Sequence, residues 1–444
     1  MREIKRLVLV IAGVLLFIVF YYLCISSAQE AREYYDVSSS DTLNLDEYQD
    51  VSVADMVHEY VLDNIETQIT ITGVGDIMFY DYQTSRAYDE DTGEFDFTAS
   101  FQYISSYLED ASFVLGNLEG TMAGANNGAG SNDYGYYADV DTLNFNIPES
   151  AADALASAGF DMLTTANNHV LDSGIEGVSS TIDYITQAGL EQTGTFTSED
   201  EDRYVITNVS GINVGVIAYT NFVNEEIDDE YSYIINNLNS YTEENIAEMC
   251  SQIEEMKDAG AQLVVVNLHF GEKYVTEVSD EERDLATRLV EAGADIIFGS
   301  YPHVVKPMEL ITVEDTDGEE RTGVVFYSLG NFISSMQYQT ANGYDRDLGA
   351  VATVTVSCDE GEVSIDGVKI VPIYVDWTDE DIAVLPICEA YENSEAFADR
   401  FEDDDLAYID EERIEEGYTS VIETLIGDSD LTYTYSDYAY WISW

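Results

Sequence analysis

Basic residues are scarce in this sequence. Lys and Arg together number 16 in 444 residues, against 88 Asp and Glu, which gives a formal net charge of -72. Such a chain repels phosphate backbones, so the composition excludes nucleic-acid binding over any extended surface. Hydrophobic residues still make up 45% and aromatic residues 12% of the chain. We therefore expect a folded protein with an acidic coat rather than a disordered chain of low hydrophobicity.

Cysteine is rare as well, and no two cysteines have the C-x-x-C spacing. The four are Cys24, Cys250, Cys358 and Cys388. Without that spacing, neither a zinc site nor a thioredoxin-like motif is supported. Cys358 and Cys388 could form a disulfide outside the cell, and buried free thiols are an equally compatible alternative.

The first 28 residues differ from the rest of the chain. Three of the first six residues are basic, and the run from Leu7 to Ile25 carries no charge and is long enough to cross a hydrocarbon core. Basic residues before such a run predict a cytoplasmic N-terminus and an extracellular C-terminal domain. We expect residues 1–28 to be a single-pass transmembrane anchor, with a cleaved signal peptide as the alternative. Residues 29–66 are acidic and turn-rich, which predicts a stalk.

From Ile69 onward, short apolar runs rich in β-branched residues alternate with stretches of helical periodicity. Several runs are apolar at successive positions, which is typical of strands covered on both faces. The alternation predicts an α/β domain over residues 67–377, with layered sheet and outer helices. Residues 378–444 break the alternation, and we expect an acidic helical appendage followed by a Tyr-rich tail.

Polar side chains stand at the ends of five of these apolar runs. Because the carboxyl ends of strands meet at one edge of a sheet, such side chains can converge on one site. Carboxylate, amide and imidazole groups are ligands for Mg, Mn, Fe or Zn, and a histidine beside a metal can protonate a leaving oxygen. Taken singly, each could instead cap a turn or helix, or be a solvated loop acid. The residues are Asp76, Glu119, Asn168, His169, His269 and His303.

Six motifs in a fixed order between Thr67 and Trp377 carry a family resemblance. They are "GDIMFY", "GNLEG", "GFDMLTTANNHVLDSG", "VNLHFGEKY", "GSYPHVVKPMEL" and "FYSLGNFISS". In this order they resemble the CapA, or poly-γ-glutamate capsule synthesis, proteins. The resemblance implies a calcineurin-like metallophosphoesterase fold, which is a layered sheet sandwich with flanking helices.

The resemblance also implies roles for the residues at the strand ends. It implies that His169 is the catalytic histidine, which protonates the leaving group. It also implies one or two divalent metal ions (Mn, Fe, Zn or Mg), whose ligands would be Asp76, Glu119, Asn168, His269 and His303. Substrate binding is expected of Glu272, Lys273 and Asn331. Two family histidines are missing, because Met78 and Tyr301 stand in their places. The cautious expectation is one metal, or a weakly held one.

The function implied by the resemblance is that of a membrane-anchored extracellular protein of capsule synthesis or export. Its partners would be the membrane, polymer synthetase or export subunits and an anionic polymer such as poly-γ-glutamate. The alternatives are an extracellular metal-dependent hydrolase of a phosphoester or amide, and a non-catalytic scaffold that keeps the fold. A domain this acidic repels a polyanion, so we expect attraction to come from the metal or from a patch around Lys273 and Lys306.

The charge predicts an unusual response to salt. Self-repulsion between exposed carboxylates should weaken when ionic strength rises from about 0.01 M to about 0.15 M, because the screening length shortens from roughly 30 to roughly 8 Å. We expect the melting temperature of the purified protein to rise over this range in calorimetry. A melting temperature that falls instead would contradict the prediction.

Overall fold

The structure is a computed structural model of the chain. All residues that it describes belong to the second of two compact units, Val61–Trp444. They are 67–125, 134–139, 143–314, 318, 320–336, 343–359, 361–378, 380–401, 411–427, 429 and 431–444. The predicted anchor (1–28) and stalk (29–66) lie outside these residues, and the predicted domain boundaries remain predictions.

Strands supply most of the regular structure. In chain order they are β1 Thr67–Ile77, β2 Tyr88–Asp89, β3 Glu94–Phe95, β4 Phe113–Leu118, β5 Ala138–Asp139, β6 Asn144–Phe145, β7 Met162–Thr164, β8 Glu191–Thr193, β9 Val205–Val209, β10 Ile212–Thr220, β11 Leu263–His269, β12 Ile296–Ser300, β13 Val305–Glu314, β14 Glu320–Leu329, β15 Asn331–Ile333, β16 Leu348–Asp359, β17 Glu362–Trp377, β18 Ile382–Pro386, β19 Thr432–Ser436 and β20 Ala439–Ser443.

The α-helices lie between the strands and follow the predicted helical periodicity. They are α1 Asp81–Ala87, α2 Ser105–Leu108, α3 Ser150–Ala158, α4 Gly174–Gln187, α5 Glu243–Asp258, α6 Asp280–Ala292, α7 Ile387–Glu392, α8 Ala398–Phe401 and α9 Glu411–Ile426. Helix α6 begins with a reciprocal cap between Ser279 and Glu282 and ends at Gly293. This is how a sequence with Ser before and Gly after an amphipathic stretch limits a helix.

Two large sheets pack face to face. The ten-stranded sheet has the order β19-β20-β17-β16-β1-β4-β7-β8, with β15 beside β1 and β18 beside β17. The six-stranded sheet has the order β13-β14-β12-β11-β10-β9. Strands β1, β4, β7 and β8 run parallel in the first sheet, and β10, β11, β12 and β14 run parallel in the second. Each sheet therefore presents several carboxyl strand ends at one edge.

The main apolar core lies between the sheets. It joins inward-facing residues of the ten-stranded sheet, such as Ile71 and Val354, to residues of the six-stranded sheet, such as Val265 and Phe298. A second core covers the outer face of the ten-stranded sheet with helix α3, and a third covers the six-stranded sheet with α5 and α6. Burial on both faces explains why the strands of the sequence read as continuous apolar runs.

The fold prediction is confirmed in one part and wrong in the other. The mixed α/β sheet structure is observed. The transmembrane helix included in that prediction is not found: within the described ranges, no helix combines the length and the apolar character needed to cross a membrane. The longest helices there, α5 and α9, have 16 residues and carry charged side chains, whereas a span needs about 20 apolar residues.

The last part of the chain contains more strand than the sequence suggested. Within residues 378–444, β18, β19 and β20 accompany the predicted helices, and β18 and β20 both pair with β17. This segment therefore extends the ten-stranded sheet. Cys358 and Cys388 are buried free thiols rather than a disulfide.

Candidate metal centre and cavity

The six strand-end residues singled out in the sequence come together at the carboxyl edges of the two sheets. Asp76 lies near the end of β1 and Glu119 directly follows β4, both in the ten-stranded sheet. His269 ends β11 and His303 follows β12, both in the six-stranded sheet. Asn168 and His169 follow β7, and all six side chains are buried. Their roles as ligands or catalytic groups remain predictions.

Asp76 contacts both histidines of the opposite sheet. Its Oδ1 lies 3.5 Å from Nδ1 of His269, and its Oδ2 lies 3.3 Å from Nδ1 of His303. Asn117 and the backbone N–H of Tyr301 also donate hydrogen bonds to it, at 2.8 and 2.9 Å. Burial alone would raise the pKa of Asp76, but hydrogen bonds and charge from the two histidines lower that pKa below its usual range. Asp76 is therefore held as a carboxylate.

A glycine allows β1 to bring Asp76 this close. A Cβ atom on Gly75 would lie 2.0 Å from the backbone oxygen of Gly330. The N–H of Asp76 donates to that same oxygen at 3.1 Å. The second glycine of "GVGD", Gly75, is thus required by a close approach of two backbone segments, and this approach positions Asp76 at the site.

Glu119 is the least satisfied polar group of the cluster. Both of its carboxylate oxygens are buried without a hydrogen-bond partner, and so is Nε2 of His303. Burial, and then the charge of Asp76, raise the pKa of Glu119 well above its usual value. Ligand atoms of Asp76, Glu119 and His269 lie within 4.8 Å of one another. Because buried polar atoms rarely lack partners, this donor set fits a divalent cation bound among them.

Asn168 faces the cluster and does not cap a helix. Its Oδ1 accepts a hydrogen bond from Nε2 of His269 at 2.8 Å, and its Nδ2 donates to Asn224. The local backbone bond is made instead by Asn167, whose Oδ1 accepts from the N–H of His169. The capping interpretation therefore applies to Asn167, and Asn168 presents an amide oxygen beside the carboxylates.

His169 is oriented by a carboxylate that the sequence analysis did not single out. Its Nδ1 lies 2.8 Å from Oδ2 of Asp172, which also accepts from the N–H of Phe145. Asp172 fixes the ring so that Nε2 faces Glu119, 3.8 Å from its Oε1. The sequence feature that could have identified Asp172 is its position three residues after His169 in "HVLD". A histidine held in this way can give or accept a proton at Nε2.

Two residues of the cluster, Asn168 and His169, line a cavity of about 510 Å³. The cavity also has apolar and amide side chains that the sequence analysis missed. Its lining residues are Met78, Tyr80, Tyr82, Leu143, Asn144, Phe145, Asn168, His169, Asp172, Asn224, Glu225, Lys273, Tyr274, Ser335 and Met336. A cavity of this size accommodates a small organic ligand.

The structure brings one of the three expected substrate-binding residues to the cavity. Lys273 lines it, with its ammonium 5.3 Å from the centre of the Tyr301 ring. Glu272 is exposed and does not line it. Asn331 is buried behind His303, where its Oδ1 lies 3.0 Å from Nδ1 of the histidine. Asn331 is therefore placed to hold His303 rather than to contact a ligand in the cavity.

Lys273 and Lys306 do not form the expected basic patch. Lys306 is fully buried and donates to Oε1 of Glu282 at 2.6 Å. Glu282 also accepts from the N–H of Ser279 at the start of α6. Lys306 and Glu282 thus form an internal ion pair, and of the two lysines Lys273 alone faces the cavity.

Tyr301 occupies the position where the resembled family has a histidine. Its ring packs against His269 and Phe222, with ring centres 5.1 and 4.9 Å apart. Burial, and then the charge of Glu119, raise the pKa of its phenol to about 12. The phenol therefore stays neutral at physiological pH.

Comparison with known proteins identifies the family. The model of the bacterial capsule synthesis protein PGA_cap matches residues 70–336, which include all six clustered residues. The chain belongs to the PGA_cap family. It is 31% identical over 269 residues to the capsule biosynthesis protein CapA of Bacillus anthracis, covering 60% of each chain. It is 27% identical over 263 residues to the PGA biosynthesis protein CapA of Bacillus subtilis strain 168, covering 59% of this chain and 62% of the relative.

The aligned part of the chain thus spans about three fifths of the length of these two relatives. Among solved structures, a hypothetical protein from Thermus thermophilus aligns with a TM-score of 0.36 and 12% identity, over 68% of this chain and 98% of that one. The sulfate thiohydrolase SoxB of Thermus thermophilus aligns with a TM-score of 0.33 and 15% identity, over 64% and 41%.

The site predicts separable effects for two neighbouring residues. Asn168→Ala should lower the occupancy of Mn or Zn, because it removes an oxygen from the cluster. His169→Ala should leave most of the metal bound and suppress any hydrolysis, because a proton donor acts only when the leaving oxygen departs. Elemental analysis of purified proteins measures occupancy, with the exposed Asn208→Ala as a control. Equal metal content in wild type and Asn168→Ala would contradict the ligand role.

The buried ion pair predicts a large stability effect. Lys306→Ala leaves the Glu282 carboxylate buried without its partner and should cost about 3–5 kcal/mol in the free energy of unfolding. The neighbouring surface pair of Arg283 and Glu309, 2.7 Å apart, provides the control. Arg283→Ala should cost less than about 1 kcal/mol. Denaturant unfolding measures the free energy of unfolding of both variants. Similar decreases for the two variants would contradict the burial of the Lys306–Glu282 pair.

Proposed function

We propose that this protein works in the synthesis or export of an anionic capsular polymer of the poly-γ-glutamate kind. It would act at the cell membrane, with the domain described here on the outer side, beside the subunits that make or export the polymer. The observation that carries the proposal is the family match across the domain that holds the buried carboxylate and histidine cluster. The names of the two relatives, a capsule and a PGA biosynthesis protein, agree with it.

The cluster supports a metal-dependent step in that work. Asp76, Glu119 and His269 would hold one divalent ion, with Asn168 and His303 beside it. When bound, such an ion acts as a Lewis acid and lowers the pKa of water. His169, oriented by Asp172, would deliver or remove a proton at Nε2. Lys273 would bind an anionic group of the ligand at the same wall.

A metal-dependent hydrolase is therefore the second candidate function. The observation that favours it over a non-catalytic scaffold is the His169–Asp172 pair, since a scaffold gains nothing from a histidine aimed at an unsatisfied carboxylate. The bond would be a phosphoester or an amide. Both candidates are compatible, because polymer assembly and release can require hydrolysis.

The test uses the native host. Deleting the gene should abolish polymer at the cell surface, wild-type protein should restore it, and Asp76→Ala and His169→Ala should restore less than about one tenth. Asn208→Ala, outside the site, should restore it fully. Polymer is measured in surface extracts, and protein amounts are matched by immunoblot. Full restoration by both site variants would overturn the proposed role of the site.

Location is tested in the same cells. The protein should fractionate with membranes, and protease added to intact cells should digest the folded domain. A cytosolic internal standard must survive the same treatment. Recovery of the intact domain from the cytosolic fraction would overturn the proposed extracellular location.

A further inference from the structure

The charges around the cavity limit what can bind there. Among its lining residues, all within the described ranges, Lys273 is the only Lys or Arg, whereas Asp172 and Glu225 are acidic. Asp76 and Glu119 do not line the cavity: Glu119 is buried behind His169, with its Oε1 3.8 Å from Nε2 of the histidine, in one group with Asp76. A divalent ion and Lys273 together bring three positive charges against these four carboxylates. Four negative against three positive charges leave one negative charge, so an anionic group can bind only in direct contact with the ion and Lys273, and a row of anionic groups would meet uncompensated repulsion.

Lys273 is held in place at the wall of the cavity. Its ammonium stays over the Tyr301 ring, and the backbone N–H of the next residue, Tyr274, donates to the oxygen of Pro302 at 2.8 Å. The half-buried cation is therefore held at the cavity wall, over the Tyr301 ring that packs against His269.

Other parts of the cavity wall are apolar. Met78 and Phe145 are buried there, and the Tyr80 ring packs edge-on against Phe145 with 5.1 Å between ring centres. At the rim, Leu143 is 58% exposed and Tyr82 is 49% exposed. These are two of the seven large exposed hydrophobic side chains in the described part of the chain. The Tyr82 ring also packs against Trp377, with 5.1 Å between ring centres. Together Leu143 and Tyr82 give the mouth of the cavity an apolar surface that an apolar part of a ligand can cover.

We infer that the ligand of this cavity carries a single anionic group joined to an apolar or aromatic portion. The anionic group binds at Lys273 and the cluster, and the apolar portion lies against Tyr80, Phe145, Tyr82 and Leu143. This inference rests on the proposed function of the site and narrows it. A contiguous run of an anionic polymer is excluded from the cavity, so the site acts on a precursor or an attached group of this amphiphilic kind.

The test compares two probes that carry the same anionic group. Methylphosphonate and phenylphosphonate differ only in the apolar portion, and both are titrated into the full-length protein loaded with Mn²⁺ by calorimetry at one pH. We expect phenylphosphonate to bind about tenfold tighter or more, because burial of a phenyl ring adds apolar contact. Penta-γ-glutamate should bind more weakly than phenylphosphonate.

Variants separate the two parts of the site. Leu143→Ser and Tyr82→Ser should bring the ratio of the two affinities toward one, with little change for methylphosphonate. Lys273→Met should weaken both phosphonates by a similar factor. Tyr433→Ser removes an aromatic side chain that is 45% exposed elsewhere and should change neither affinity.

Three outcomes overturn the inference: equal affinity for the two phosphonates, no binding of either, or tightest binding of penta-γ-glutamate. Each of them leaves the role in polymer synthesis standing if His169→Ala still abolishes polymer in cells. Conversely, a preference for phenylphosphonate together with full polymer production by Asp76→Ala and His169→Ala supports the ligand class and overturns the proposed role of the site in polymer synthesis.

Discussion

The contact of Asp76 with His269 and His303 is the constraint on which the site depends. Asp76 belongs to the ten-stranded sheet, and the two histidines belong to the six-stranded sheet. The carboxylate thus joins the carboxyl edges of two sheets whose faces are otherwise held by apolar packing. Because the contact is buried, it forms only when both sheets are in register, and it then fixes where Glu119 and Asn168 face the histidines. Fold and site are therefore coupled through one side chain.

The ends of the strands could be predicted from the sequence, but the contacts between residues far apart in the chain could not. Apolar runs that stop at a carboxylate, an amide or a histidine identify Asp76, Glu119 and His269 from local pattern alone. The environment of Lys306 could not be predicted in this way, because its partner Glu282 is brought to it by the packing of α6 against the second sheet. Likewise, β20 was read as a tail because its partner strand β17 lies about 70 residues earlier. Pairings of this kind leave no periodicity in the sequence.

Met78 and Tyr301, which stand where the resembled family has histidines, both make contacts at the site. Met78 lines the cavity, and Tyr301 supports the Lys273 ammonium with its ring while its backbone N–H binds Asp76. A neutral phenol and a thioether are poor ligands for a hard divalent ion. The donors that remain close together are Asp76, Glu119 and His269, a buried group that could hold a metal ion.

The acidic coat determines how such a site can serve an anionic polymer. At physiological salt the screening length is about 8 Å, so the coat does not keep a polyanion away from the protein as a whole. Within that distance, however, every exposed carboxylate opposes adhesion of the polymer. Among the described residues that line the cavity, Lys273 is the only cation, so attraction for an anionic group there comes from Lys273 and from an ion bound at the cluster. Under the proposed function, the same charge distribution that opposes a bound run of polymer would also favour its departure from the protein, and assistance in polymer assembly without retention of the product requires both.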